Sequence, residues 1–321
     1  MQPFRFHSIY QPRIWGGQSM RTMLGRELPD RETAYGEAWE ISDRPEAMSI
    51  VKDGEWEGMP LHRLWEEHRQ EIFGPGYERF PRFPLLCKIL DARENLSVQV
   101  HPPERTAAAR QGEVKNEIWY VLHASPDALI YGGMEENATL PDIRHAAETG
   151  QMEQLIRSTH LEPGEHLYIP AGLVHAIGAG HLIAEIQQNS DTTYRLYDWN
   201  RTDDSGRGRE LHLEQALDSI GEFRELSQRP GYLTEMPYFT TKEYRLDKGE
   251  RFTQPDSSRF AVFTVLCGSV LWDGKRPGRE NSFCPRQARM PSPPQKQILF
   301  CSQQRFKQTN MTKRAKNSAQ C

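Results

Sequence analysis

Long apolar runs are absent from this 321-residue chain. None approaches the ~20 residues of a membrane-spanning helix, so no membrane partner is expected. The opening Met1-Gln2-Pro3-Phe4-Arg5-Phe6 has no basic segment leading into an apolar one, and no signal peptide is expected. Cysteine is scarce: Cys87, Cys267, Cys284, Cys301 and Cys321 show neither paired nor metal-type spacing, which favours a reduced, cytoplasmic protein. There is no glycine-rich phosphate loop of the nucleotide-binding types and no internal repeat at a fixed period. Positive charge is short over residues 1–272, with 29 Lys or Arg against 42 Asp or Glu, a balance of −13. That argues against nucleic acid as a partner, because a phosphate backbone selects a basic surface.

What is present is a chain long enough to bury a sizeable core in one large or two smaller domains. Short β-rich runs bounded by Gly, Pro and Asp dominate, with strands expected at 85–89, 96–101, 117–122, 165–169, 181–187 and 193–197. Helical patches are expected at 61–73, 104–111, 139–157 and 210–226. Many short strands favour a β-sandwich or barrel over a parallel α/β sheet. A second β-rich stretch from Tyr238 to about Trp272 places a domain boundary near residue 235.

Within these runs a few polar residues stand out. Alternate side chains of an extended chain share a face, so Leu96, Val98 and Val100 should enter a core while Ser97, Gln99 and His101 point the other way. Gln99 and His101 side by side are half of a metal site. Glu117, in Lys115-Asn116-Glu117-Ile118-Trp119, and His175 could supply the rest. Imidazole, carboxylate and amide oxygen suit a divalent ion such as zinc with a position left open for chemistry.

The spacing Gly164, Pro170, Gly172, His175 resembles the second signature motif of the cupin superfamily. Pro and Gly there make a tight turn, and the histidine then enters a barrel interior. The first cupin motif is altered, with Gln99-Val100-His101 in place of His-x-His and Glu117 lying 16 residues beyond His101. That departure, with Pro12–Gly17, Gly36–Asp43, Pro84–Ala92 and Gln188–Asp198, resembles the type I phosphomannose isomerases in their short bacterial form. The resemblance covers roughly residues 3–272. It implies a mainly β fold, a cupin jelly-roll barrel with a few helices plus a second, smaller and incomplete cupin-like domain. It implies one zinc ion per subunit on Gln99, His101, Glu117 and His175, with Arg195 catalytic. The implied partner is a small-molecule sugar phosphate, and the protein is expected to be a monomer or weak oligomer.

Aldose–ketose interconversion moves a proton between C1 and C2 through an enediol or enediolate, whose charge on oxygen a Lewis acid stabilises. For the proton shuttle, Lys115, a zinc-bound water, His101 and Glu117 all stand as candidates. Lys115 shares a strand face with Glu117, and is assigned either to catalysis or to orienting that carboxylate. Arg195 could instead join an ion-pair network with Asp191 or Asp198; a permanently charged guanidinium suits an enediolate or phosphate. Arg13, Lys88, Lys115, Arg195 and Arg201 are unranked phosphate candidates. Trp15, Trp39, Trp119 and Tyr131 read as core or pocket wall. A non-catalytic, sugar-binding cupin is the competing function, although it has no need of a metal with an open position.

The end of the chain breaks the pattern. From Asp273 onward 11 Lys or Arg face 2 acidic residues, a balance of +9, and regular strand alternation is missing. The expected organisation is a catalytic zinc-binding domain over 1–235, the start of a second β domain over 236–272, and an irregular basic tail over 273–321 of disordered composition or altered reading frame.

Overall fold

The computed structural model describes residues 4–202, 205–221, 238–247, 249–252, 260–267 and 296–303. Its first strands are β1 (Ile9–Gly17), β2 (Tyr35–Ile41), the short pair β3 (Asp43–Arg44) and β4 (Ala47–Met48), and β5 (Leu85–Ala92). Then come β6 (Val98–Val100), β7 (Glu117–Ala124), β8 (Ile130–Met134), β9 (Ile156–Thr159) and β10 (His166–Ile169). The series continues with β11 (His175–Ile177), β12 (His181–Gln188), β13 (Tyr194–Tyr197), β14 (Phe239–Leu246), β15 (Val262–Cys267) and β16 (Lys296–Gln303). Helices are α1 (Ser19–Thr22), α2 (Leu61–Glu67), α3 (Glu104–Ala107), α4 (Leu140–Thr149) and α5 (Leu213–Ser219).

Two antiparallel sheets make the body, a six-stranded one in the order β1-β2-β5-β12-β7-β10 and a five-stranded one in the order β13-β6-β11-β8-β9. Alternation explains how the large sheet is covered on both faces. Cys87 and Ile89 of β5, Ile118 and Tyr120 of β7, and Ala184 and Ile186 of β12 pack outward on α2 with Trp65, Phe73 and Phe83. Leu90, Trp119, Val121 and Ile183 face the other way and meet Ile130 and Ile177 of the small sheet. Both faces are therefore covered, and all eight residues of β5 are buried. The outer face of the small sheet is covered by α4 and α5. Helix α4 is well marked in sequence: Thr139 and Asp142 form a capping box and Gly150 closes it at φ 72°.

Several expected boundaries shift. The helix expected over 61–73 splits into α2 and a π-type turn at Arg69–Phe73. The one expected over 139–157 ends at Thr149, and Arg157 lies in β9. The last expected helix shortens to α5, and residues 222–237, which include the expected domain boundary, lie outside the described residues.

The irregular tail expected after Asp273 is corrected at one place. Lys296–Gln303 forms β16, the middle strand of a third sheet in the order β14-β16-β15. Its pairing with β14 runs without a break from Phe239↔Gln303 to Leu246↔Lys296. The run Ile298-Leu299-Phe300 carries strand-favouring residues that the surrounding basic and polar stretch obscured. The remainder, 273–295 and 304–321, lies outside the described residues. Phe239, Phe260 and Leu266 of this region join the outer cluster of the large sheet, with Phe260 against Phe83 at 4.9 Å between ring centroids.

Candidate metal centre

His101 follows β6, Glu117 opens β7 and His175 opens β11, so the two sheets bring together residues 74 apart in sequence. One ligand atom from each lies within 4.8 Å of the others, and all three side chains are fully buried. Backbone carbonyls set both rings. Nδ1 of His101 donates to Thr192 O at 2.9 Å, and Nδ1 of His175 donates to Leu173 O at 2.8 Å. With the proton on Nδ1, each Nε2 turns a lone pair inward. The turn before β11 works as its sequence promised: Gly172 sits at φ 93°, where a Cβ would crowd the Gly221 backbone at 3.1 Å. Its amide donates to His101 O at 2.8 Å, tying the two histidine-bearing segments together.

The contacts inside the cluster are of an unusual kind. His101 Nε2 is 3.5 Å from Glu117 Oε2, and His175 Nε2 is 3.5 Å from Glu117 Oε1. These would be ion pairs only with protonated rings. Burial, with the Lys115 ammonium adding to it, pushes His101 down to about 3, and burial lowers His175 too. Lone pairs therefore face carboxylate oxygens with no proton between them. Nε2 of His101 and both carboxylate oxygens of Glu117 lack a hydrogen-bond partner. Orphaned acceptors converging in a buried site fit a divalent cation, and the donor set of two imidazoles and one carboxylate is one such a cation accepts.

Lys115 Nζ lies 2.9 Å from Glu117 Oε2, off the hydrogen-bond direction but close enough to neutralise it. Burial opposes ionisation of Glu117, yet this ammonium holds its carboxyl well below the usual range. Lys115 is held protonated in return: burial pulls it down, but Glu117 and Glu185 outweigh that. Asn116 anchors the segment, accepting from Tyr168 Oη at 2.8 Å and Ala171 N at 3.0 Å and donating to Gln188 Oε1 at 2.7 Å.

Gln99 pairs with His175 on one side and Arg195 on the other, so the three lie in one line across the small sheet. Its Nε2 is 3.4 Å from His175 Nε2, and its Oε1 accepts from Ser97 Oγ at 3.4 Å. Rotating the amide by 180° would turn the oxygen to the cluster. Arg195 makes no ion pair among the described residues. Its Nη1 donates to Glu210 O at 3.4 Å, and its buried Nε has no partner. The expected alternative, pairing with Asp191 or Asp198, is not what it does: Asp198 takes Arg201 and Arg209, both at 2.5 Å.

A second buried polar group lines the same interior. Across the large sheet Trp39, Lys88, Glu185 and Trp119 form one row, next to the row that holds Gln187 and Glu117. Lys88 Nζ lies 3.7 Å from Glu37, 3.8 Å from Glu185 and 3.6 Å from Asp191, and 4.7 Å from the centre of the Trp39 ring. Burial pushes Glu185 up to about 7, helped by Glu117 and opposed by Lys115 and Lys88. For Glu37 burial is overcome by Lys88 and Arg13, which hold it at about 2. Lys88 entered the sequence reading only as a phosphate candidate, and Glu37 and Glu185 were missed. Their signal was there: lone charges at alternate positions of otherwise apolar strands. Trp15 and Trp119 are core, as expected, though Trp119 also donates to Glu185 Oε2 at 3.1 Å and stands edge-on to His175.

The chain matches the family model described as phosphomannose isomerase type I, catalytic domain, over residues 3–128. It is 37% identical over 279 residues to the mannose-6-phosphate isomerase of Streptococcus mutans, covering 83% of this chain and 85% of that protein. The chain belongs to the type I phosphomannose isomerases. A mannose-6-phosphate isomerase of Bacillus subtilis is 43% identical over 68% of each chain. The crystal structure of the mannose 6-phosphate isomerase from Bacillus subtilis superposes with a TM-score of 0.78 at 29% identity, covering 94% of this chain and 99% of that one. As a type I phosphomannose isomerase the chain is an enzyme with the cupin fold, and the non-catalytic alternative falls away. No helix among the described residues is long and apolar enough to cross a membrane.

Proposed function

We propose that this chain interconverts mannose 6-phosphate and fructose 6-phosphate, using a zinc ion held by His101, Glu117, His175 and the amide oxygen of Gln99. The observation that carries the reading is the convergence of unprotonated Nε2 atoms on a carboxylate with no donor between them. Membership of the family supplies the substrate. When bound, the cation supplies Lewis-acid stabilisation of charge developing on the sugar oxygens at C1 and C2.

The protein's own groups do the rest. Lys115 acts through Glu117: it fixes that carboxylate and offsets its charge. Protonated and paired at 2.9 Å, it is a poor base. The proton between C1 and C2 is assigned to Glu185, buried, with Oε1 in no hydrogen bond and the Lys88 ammonium 3.8 Å from it, and with its carboxyl lifted by burial to about 7 in the metal-free chain. A group poised near the working pH can both accept and return a proton. Arg195 is the phosphate candidate with no carboxylate to satisfy it: Arg13 pairs with Glu37, Lys88 with three carboxylates, Lys115 with Glu117, Arg201 with Asp198 and Glu94. Its guanidinium is assigned to the enediolate. All these groups precede residue 235, in keeping with a catalytic domain over 1–235. A cytoplasmic setting, which retains charged sugar phosphates, belongs to the same proposal.

The test is a coupled assay with mannose 6-phosphate before and after chelation. Activity lost to the chelator and restored by Zn2+ supports the reading; undiminished turnover in metal-free protein overturns it.

A further inference from the structure

One buried side chain beside the cluster has no part in the chemistry above. Gln187 lies on β12 next to Glu117, in the inward-facing row, and is fully buried. Its Nε2 donates to two backbone carbonyls, Ser190 O at 2.5 Å and Gln188 O at 2.9 Å. Two acceptors at one amide end demand the NH2 there and fix its orientation.

The turn it grips, residues 190–192, is held from the other side too. Ser190 Oγ donates to Glu113 O at 3.1 Å and accepts from Thr192 N at 3.2 Å, and Glu113 N donates to Thr192 Oγ1 at 3.0 Å. This short turn serves the interior twice. Thr192 O takes the Nδ1 proton of His101, and the Asp191 carboxylate lies 3.6 Å from Lys88 Nζ.

We propose that Gln187 is a positioning residue for the metal centre: its amide clamps the 190–192 turn, and the turn keeps the His101 proton on Nδ1 so that Nε2 presents its lone pair. The inference rests on the metal reading of the cluster and goes beyond it in naming what orients one ligand. Without the clamp Thr192 O drifts from the ring, Nε2 is protonated in part of the population, and the cation must displace that proton.

The test uses the full-length chain and Gln187→Met, which keeps length and apolar bulk and removes the donor. Zn2+ affinity is measured by competition with a chromogenic chelator, and the His101 tautomer in metal-free protein by nitrogen-15 NMR of the ring. The expected result is about tenfold weaker Zn2+ binding, together with loss of the single Nδ1–H tautomer. Ile183→Val on the same strand is the control for general loosening; it should lower the melting temperature without changing Zn2+ affinity. If Gln187→Met does not yield folded protein, Ser190→Ala, which removes the Oγ link to Glu113 and Thr192, should shift both readouts the same way. Unchanged affinity with an intact Nδ1–H overturns the proposal, as does a weakening that Ile183→Val reproduces. The tautomer arm needs no metal, so it separates the two failures: a wild-type chain that binds no zinc overturns the metal reading, and an Nδ1–H left intact by Gln187→Met overturns the clamp. Wild type that binds zinc but does not isomerise mannose 6-phosphate would defeat the substrate assignment and leave this inference standing.

Discussion

Two buried polar groups share the barrel interior, and they are built on opposite principles. Around Glu117 acceptors meet acceptors: two imidazole lone pairs and two carboxylate oxygens converge, with one ammonium on the flank. Around Lys88 one cation sits among three carboxylates and the Trp39 ring, and Arg13 balances Glu37 from outside. Leaving a buried polar atom unsatisfied costs roughly 1–3 kcal/mol, more if it is charged. The Lys88 group surrounds its cation with opposite charges, whereas Lys115 offsets the charge of Glu117 but leaves both its oxygens and His101 Nε2 without a hydrogen bond. The Lys88 group is thus balanced by its own charges, whereas the Glu117 group has a donor set that a cation would complete.

The contrast breaks most directly at His101. His101→Ala removes one of the two lone pairs, and zinc content by elemental analysis should fall to near background while turnover drops by roughly 1000-fold or more, about 4 kcal/mol. A variant that retains stoichiometric zinc would end the cation reading. Glu117→Gln should also lose metal, because it deletes the only carboxylate of the cluster.

Next in size come changes that should spare the metal. Glu185→Gln should keep zinc and fold yet reduce kcat by about 100-fold or more, and it should remove the acidic limb of the pH–rate profile. If the limb persists, another group carries the proton. Arg195→Ala should lower kcat and kcat/KM together by on the order of 100-fold with zinc content unchanged. A rise in KM alone would make Arg195 a ground-state phosphate contact instead. Arg195→Lys should rescue poorly, since an ammonium lacks the planar fork.

The smallest effect is thermodynamic. His101 is held at about 3 in the folded chain, against about 6.5 when unfolded. Below pH 6.5 the unfolded chain takes up a proton that the folded one refuses, so stability is full above that value and declines as pH falls toward 3. Metal-free protein should lose about 2 kcal/mol from His101 between pH 7.5 and 5, read from denaturant midpoints. Lys88→Met, which breaks the other group by stranding its carboxylates, should depress stability across the whole range instead. Equal pH profiles for wild type and a His101→Gln variant would refute the assignment to this ring.

Much of this was legible in the chain. Short β-rich runs bounded by turn residues gave β5, β7, β10, β12 and β13 within a few residues, and the Gly164–His175 spacing marked a turn whose Gly172 does require its positive φ. Gln99 and His101 could be nominated because polar residues recur on one face of an apolar strand, and His175 from the turn motif ahead of it, while Glu117 and the complete set were implied by the family resemblance. The missed strands β1, β2 and β8 hold Pro12, Gly16, Gly36, Gly132 and Gly133, which read as turns and are accommodated here by bulges and close strand approach. Strand β16 was hidden by its basic, polar surroundings, because a middle strand is defined by the partners it finds and not by its own pattern.

By itself, then, the sequence determined strands β5, β7, β10, β12 and β13 and the polar residues set among their apolar ones, since these follow from local composition and turn chemistry. Only the tertiary structure decided what the inward polar residues are to one another. Thr192 O sets the His101 proton from 91 residues away, and Lys88 meets Glu37, Glu185 and Asp191 from three other segments. Protonation states are set by burial and by charges a few ångströms off, and those distances exist only once the two sheets have closed on each other.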